Sequence, residues 1–386
     1  MTEIVIAGIG QTEVGEHWGI SLRELAYIAI RAALQDSGNL KPQALFVGNM
    51  LAPNLSNQAH LGALLTDYAG LTGIEAVTVE AAGASGGAAL RQGCIAIASG
   101  MVDVAIVVGV EKFTDKVGPD VEAAVSTATD SDYESMQGLT STAQAAMVMR
   151  RYIHEYQVSP DGFAGFALTA HANGAGNKFA MFQKPIKPAV YAHAEMVSEP
   201  VNIFDIAPNA DGAAAVILTR RELLPNDFPQ PAVRIASSGN SSDTLALHDR
   251  QNMLDFQAAR IATERALKKA GIGLEQVNFF EYHDTFSIYA ALSLEACGFA
   301  ARGEGWKLAV DGSIARHGRI PCATMGGLKA GGFTGGASGV YQAVQATLQL
   351  RGSAGANQID GARYGLIQAL GGPASTAVSH VLERID

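Results

Sequence analysis

Cysteine is scarce in this chain, with three residues in 386. An odd, sparse set excludes a disulfide scaffold and fits a reducing compartment. The nearest pair, Cys297 and Cys322, lies 25 positions apart, so there is no C-x-x-C metal motif and no metal site is expected. Basic charge is also short: 27 Lys and Arg face 37 Asp and Glu, for a net charge of −10. The basic residues do not cluster, which argues against a phosphate-tracking face and against nucleic acid as a partner. No apolar run reaches the roughly 18 residues of a membrane span, so none is expected. The opening MTEIVIAGIG carries an acid rather than a basic leader segment, and a cytoplasmic location is expected. A nucleotide phosphate loop is missing as well, since nothing matches G-x-x-x-x-G-K-[ST] and no G-x-G-x-x-G follows the first strand.

Glycine, by contrast, is plentiful, at 43 of 386 residues. The excess has no G-X-Y period, which excludes collagen, and 48% apolar residues exclude a disordered tract. The glycines are therefore expected at tight turns, helix ends and close backbone contacts of a mixed α/β fold.

The order of elements repeats. Ile4–Ala7 reads as a strand. Ser21 and Glu24 then form a capping box for a helix whose apolar residues recur from Leu22 to Leu34, closed by Gly38. Ala44–Val47 follows as a buried strand. In the second half, Val233–Ala236, Phe256–Ala270 with Gly271, and Val277–His283 give strand, helix and strand again. An offset of 233 places Gly38 on Gly271 and Phe46 on Phe279. The string Gly-Ala-Ser-Gly occurs at 83–86 and at 336–339, each time opening a helix that ends at Gly100 or Gly352. Strands Val104–Val108 and Gly365–Ala369 come next. This is an internal duplication, with domains expected at 1–231 and 232–386 and mostly parallel sheets covered by helices. Between Phe113 and Asn209 the rhythm breaks; an insertion of that size (about 113–209) is expected to cover a ligand site.

Several motifs in fixed order carry a resemblance: GIGQT at the start, EAAGASGG, GVEKF, DGAAA, EYHDTF, GGLKA and the final ALGG. The chain resembles the thiolase superfamily, specifically the sterol-carrier-protein-type thiolases, nearly end to end. That resemblance implies two β-α-β-α-β halves in a layered α-β-α-β-α architecture, with a loop insertion in the first half. It also implies acyl-CoA thioesters as substrates, coenzyme A as a substrate moiety with no resident cofactor, a homodimer, and a small zinc-ribbon/OB-fold partner.

Its chemistry departs from the family pattern. The nucleophilic cysteine of thiolases matches Gly83, and the histidine of the G-H-P loop matches Phe333, in Gly332-Phe333-Thr334. Thr285 stands where related thiolases carry a second thiol. His283 is retained, together with the backbone N–H groups of Gly83 and Gly372, which in the family serve oxyanion holes. Loss of the nucleophile costs an acyl-transfer enzyme on the order of 10⁶ in turnover. The leading expectation is therefore carbon–carbon bond cleavage or formation without an acyl-enzyme, with His283, Asp284 and Tyr282 or Tyr289 as acid–base groups. A non-catalytic acyl-CoA-binding or scaffolding subunit, and a conventional acetyl-CoA acetyltransferase using Cys322, stay open. Asp284 or Thr285 reads equally as a helix cap. Lys329, with Gly326, Gly327 and Phe333 around it, is a candidate for the CoA moiety or a solvated cation. His171 and Asn173 match a family pattern and read as structural.

Overall fold

The computed structural model describes residues 2–225 and 228–385. Eleven strands form in chain order: β1 (Ile4–Gln11), β2 (Ala44–Gly48), β3 (Glu75–Val79), β4 (Val104–Glu111), β5 (Met196–Ser198), β6 (Val201–Asn202), β7 (Gly212–Arg220), β8 (Ala232–Ser242), β9 (Phe279–Glu281), β10 (Tyr364–Gly371) and β11 (Thr376–Ile385). Strands β5 and β6 make a small hairpin. The other nine form one sheet in the order β3-β2-β4-β7-β1-β8-β11-β10-β9. Read outward from its centre, the order of the first part is echoed in the second. Within the sheet the two parts pair through Val5 with Arg234 and Ile6 with Val233.

Alternating faces of the strands set the layers. On one face of the first part, Ile106 and Val108 pack with Ala213, Ala215 and the helix Leu22–Asp36. On the other face, Ala105, Val107 and Val216 meet two inner helices, Ser85–Ala98 and Ser338–Arg351. Ile367 and Leu382 of the second part close on the same inner helices. The outer face of the second part takes the helix Gln257–Ala270 and helices of the insertion. Helix, sheet, inner helices, sheet and helix thus stack as five layers, as the resemblance implies.

The local signals hold where they are strongest. Ser21 and Glu24 form the capping box, and Gly38 and Gly271 close their helices at φ +73° and +72°. The two Gly-Ala-Ser-Gly turns pack against each other, so that a Cβ on Gly86 would stand 2.7 Å from the Gly336 carbonyl oxygen, and one on Gly339 would stand 2.4 Å from the Gly87 nitrogen. Only glycine permits two helices to approach so closely.

Two expectations change. The sheet is mostly antiparallel, because only β2–β3, β2–β4 and β9–β10 pair in parallel. Each part returns its last strand beside the preceding one, β4 to β7 after the insertion and β10 to β11 through a tight turn. The strand expected over Val277–His283 covers only Phe279–Glu281, and its apolar run continues into a loop that carries His283.

Candidate functional site

The turn before the first inner helix is strained and tied down. Ala82 sits at φ +50°, a left-handed conformation costly for a residue with a Cβ. The Ser85 hydroxyl donates to the Ala82 carbonyl at 2.6 Å and accepts from the Ala81 N–H at 2.9 Å, holding the turn closed. Gly83 follows in the first turn, where N–H groups have no intrahelical acceptor and the helix dipole is positive.

Gly83, Gly372 and His283 line one cavity of about 260 Å³. Its apolar lining includes Phe286, Tyr289, Phe333 and Leu370, and the insertion contributes Val125, Ser141, Gln144 and Ile206–Asn209. The insertion therefore covers a cavity at the strand ends, as its length suggested. The notch at Gly83 is tight. A Cβ there would stand 2.7 Å from the Leu370 carbonyl oxygen and 3.1 Å from Nε2 of His283.

His283 is buried, and its Nδ1 has no hydrogen-bond partner. Burial pushes its pKa down to about 3, so the imidazole is neutral. Phe333 meets the ring edge-on at 5.8 Å and packs in turn against Phe113 at 6.0 Å, within a cluster that includes Leu51 and Leu328. A neutral imidazole beside helix N–H groups is a hydrogen-bond donor suited to developing negative charge on an oxygen.

The structure places other sequence candidates elsewhere. Asp284 does not line this cavity. One residue after His283 it turns the opposite way, accepts the Leu328 N–H at 2.7 Å, and rests where a Cβ on Gly327 would stand 2.6 Å from its Oδ2. Burial raises its pKa, against the pull of the Lys329 charge. It caps the short helix Gly327–Gly331 rather than the helix Ser287–Ala296, whose N-cap is Phe286. Lys329 is neither solvated nor open to a CoA phosphate: it is 1% exposed and its Nζ donates to the Asp205 carbonyl at 2.6 Å. Burial lowers its pKa to about 8. Gly326 and Gly327 lie in the same buried loop, outside the cavity, and of the four residues considered for the CoA moiety only Phe333 lines it. Tyr289 faces the cavity; Tyr282 does not.

None of the cysteines reaches the site. Cys322 is fully buried, its thiol facing the Ile320 carbonyl, and burial raises its pKa well above the usual range. Cys94 and Cys297 are pushed up to about 12 and about 11 by burial. His171 stacks on Phe182 at 5.7 Å, and Asn173 donates to the Ala323 carbonyl at 3.0 Å, both structural contacts. Among the described residues, no group of three His, Cys, Asp or Glu side chains is placed to hold a metal ion.

Two residues of the site's frame escaped the sequence reading. Glu111, at the end of β4, accepts from the backbone N–H groups of Met50, Leu51 and Gly336 and from the Asn49 amide, and burial raises its pKa to about 7. An acid ending a core strand, in GVEKF, was the available signal. Gln144 lines the cavity from the insertion helix Ser141–Tyr156. It shares an i, i+4, i+8 stripe with Val148 and Tyr152, an apolar stripe interrupted by one amide.

Two family comparisons decide the lineage. Residues 4–201 match the thiolase N-terminal domain and residues 239–384 a thiolase C-terminal domain-like family. The chain belongs to the thiolase family. It is 38% identical to an acetyl-CoA acetyltransferase of Methanothermobacter thermautotrophicus over 386 residues, covering 100% of both. It is 28% identical to a steroid side-chain-cleaving aldolase of Thermomonospora curvata, across 88% of this thiolase-family chain and 89% of that protein. A solved structure of an "Ltp2-ChsH2(DUF35) aldolase" shares the fold at TM-score 0.85 and 23% identity, covering 99% of this chain and 98% of that one. Relatives of this family member therefore include both acyl-transfer and aldolase-type proteins.

Proposed function

We propose that this thiolase-family chain makes or breaks a carbon–carbon bond in acyl-CoA thioesters without a cysteine acyl-enzyme. The observation that carries the reading is the single cavity where Gly83, Gly372 and a neutral His283 meet while all three cysteines lie elsewhere. In the bond-forming direction, water in the cavity takes a proton from the α-carbon. The resulting thioester enolate is held by the two N–H groups and His283, and its α-carbon attacks a carbonyl carbon. The new alkoxide takes the proton of the Tyr289 hydroxyl, which burial keeps protonated, and the phenolate recovers that proton from the hydronium left by the first step. Cleavage runs these steps backwards: Tyr289 gives its proton to water and takes the hydroxyl proton of the substrate, the α–β bond breaks, its electron pair passes to the enolate, and the α-carbon takes its proton from the hydronium. A conventional acetyltransferase needs a thiolate in this cavity, which Cys322 does not supply.

Coenzyme A enters as part of the substrate. A homodimer is part of the proposal, supported by β3, an edge strand paired on one side only with Val77 half-exposed. A small zinc-ribbon/OB-fold partner is supported by the DUF35-containing aldolase of the same fold. No described helix is long and apolar enough to cross a membrane, and the three cysteines are unpaired, which agrees with a cytoplasmic location.

The test is incubation of the purified protein, with and without its natural partner, with β-hydroxyacyl- and β-ketoacyl-CoA esters, following release of a shorter acyl-CoA. Cleavage of the β-hydroxyacyl ester, or cleavage of the β-ketoacyl ester by water without added CoA, supports the proposal. Binding without cleavage overturns it in favour of a non-catalytic acyl-CoA-binding subunit.

A further inference from the structure

Gln144 is 1% exposed, and its Nε2 makes no hydrogen bond. A buried amide donor without an acceptor is destabilising and rare, yet the residue that carries this one is among those lining the cavity that holds Gly83 and His283. The helix it belongs to has no need of it. Thr140 caps that helix by accepting the Ala143 N–H at 3.2 Å, and Ala145, Val148 and Met149 supply the packing. The other polar residues that line the cavity from the insertion, Glu122, Ser141, Thr142 and Asn209, are exposed or half-buried. Gln144 alone on that side carries a polar head in a position closed to solvent.

We infer that Gln144 recognises an oxygen on the acyl group, distinct from the thioester oxygen held at Gly83, Gly372 and His283. The inference rests on the proposed acyl-CoA reading and narrows it. Thioesters whose acyl chain carries a hydroxyl or keto oxygen satisfy the amide, whereas a saturated chain buries it against carbon. Selection of this kind is strong because the wrong ligand leaves a buried donor unpaired. Gln144 is thus a specificity-determining residue supplied by the insertion rather than by the duplicated core.

The test is calorimetric titration of the full-length protein with three CoA esters of equal chain length: 3-hydroxyacyl, 3-ketoacyl and saturated. It is repeated on Gln144→Met, which keeps length and removes the N–H. Wild type is expected to bind at least one oxygenated ester about tenfold more tightly than the saturated one. Gln144→Met is expected to lose that preference by weakening only the oxygenated ester, and to melt no lower than wild type. The hydroxy and keto arms identify which oxygen is read. Equal binding of all three esters by wild type, or equal weakening of all three in the variant, overturns the inference while leaving the carbon–carbon chemistry standing. Absence of any acyl-CoA binding overturns both. Should Gln144→Met fail to fold, Gln144→Glu, which presents only acceptors when ionised, is expected to reject the keto ester selectively, because a hydroxyl can donate to the carboxylate whereas a keto oxygen cannot.

Discussion

The carbonyl oxygen of Leu370 lies 2.7 Å from the point where a Cβ would stand on Gly83. Backbone has closed over the position that the resemblance assigns to a nucleophile, so under the proposed reading a thiol is not restored by replacing one residue. Gly83→Cys is expected to lower stability by about 1–3 kcal/mol, the ordinary cost of overpacking. It is also expected to show no thiolysis of acetoacetyl-CoA. Thermal unfolding and a thiolysis assay check both; robust thiolysis would show that the Leu370 turn yields easily.

Phe333 covers the imidazole that sits beside that notch. Burial is what holds the His283 pKa down at about 3, so Phe333→Ala should let water reach the ring and move that pKa upward. The same change empties part of a packed cluster and is expected to cost about 3–5 kcal/mol. An NMR titration of His283 reads the first effect and chemical denaturation the second.

His283→Ala tests the oxyanion role directly. Removing one such donor is expected to slow carbon–carbon cleavage by about 10²–10³-fold, with circular dichroism unchanged. Because His283 is already neutral well below pH 6, the wild-type rate should carry no inflection from it between pH 5 and 8. A histidine-like inflection in that range, abolished in His283→Ala, would contradict the burial argument.

Stability against pH carries opposed contributions. His283 and His380 have native pKa values of about 3 and about 4, depressed by burial below the unfolded value near 6.5. Below pH 6.5 the unfolded chain binds the extra protons, so these groups remove stability as pH falls. Glu111 and Glu281 are raised by burial to about 7. Their native forms hold protons the unfolded chain releases, so they add stability as pH falls from 7 to about 4.5. The melting temperature should therefore change little between pH 4.5 and 6.5 and drop below 4.5. In Glu111→Gln one compensating group is gone, and the decline should begin near pH 6.5. Calorimetry across pH 4–8 compares the two profiles.

Gly86 of an inner helix and Gly19 of the turn before the helix Leu22–Asp36 give a contrasting pair of glycine substitutions. Gly86→Ala drives a methyl to within 2.7 Å of the Gly336 carbonyl oxygen, whereas a Cβ on Gly19 meets nothing within 4 Å. The first is expected to cost about 3 kcal/mol or more and the second to leave the denaturation midpoint within error.

What was readable in the sequence is what local chemistry decides. The Ser21–Glu24 box, the closing glycines and the paired Gly-Ala-Ser-Gly turns act within a few residues and appear as expected. Gly83, His283 and Phe333 were located by motif order and do share a cavity. Direction was not readable. Neighbours in an extended chain point to opposite sides, so His283 enters the cavity while Asp284 turns away to cap another helix. Burial imposed from a distance was hidden as well. Lys329 sits in a glycine-rich stretch whose sequence leaves a CoA contact and a solvated cation equally open, and it is residues distant in sequence, Asp205 and Asp284 among them, that surround it. Gln144 is enclosed the same way, by packing of the insertion over the core. Strand polarity followed from the return paths of β7 and β11, which alternation of element types does not specify.

The sheet ends differently on its two sides. Beyond β9, the backbone of Pro321–Ala323 hydrogen-bonds to Phe280 and occupies that edge. Beyond β3 no described strand pairs. A sheet with one open end can extend across a twofold axis once, and the pairing then consumes the edge that made it possible. In the proposed homodimer such a molecule would carry its own stop signal: pairing of β3 with its copy closes at two copies and leaves no free edge from which fibres could propagate.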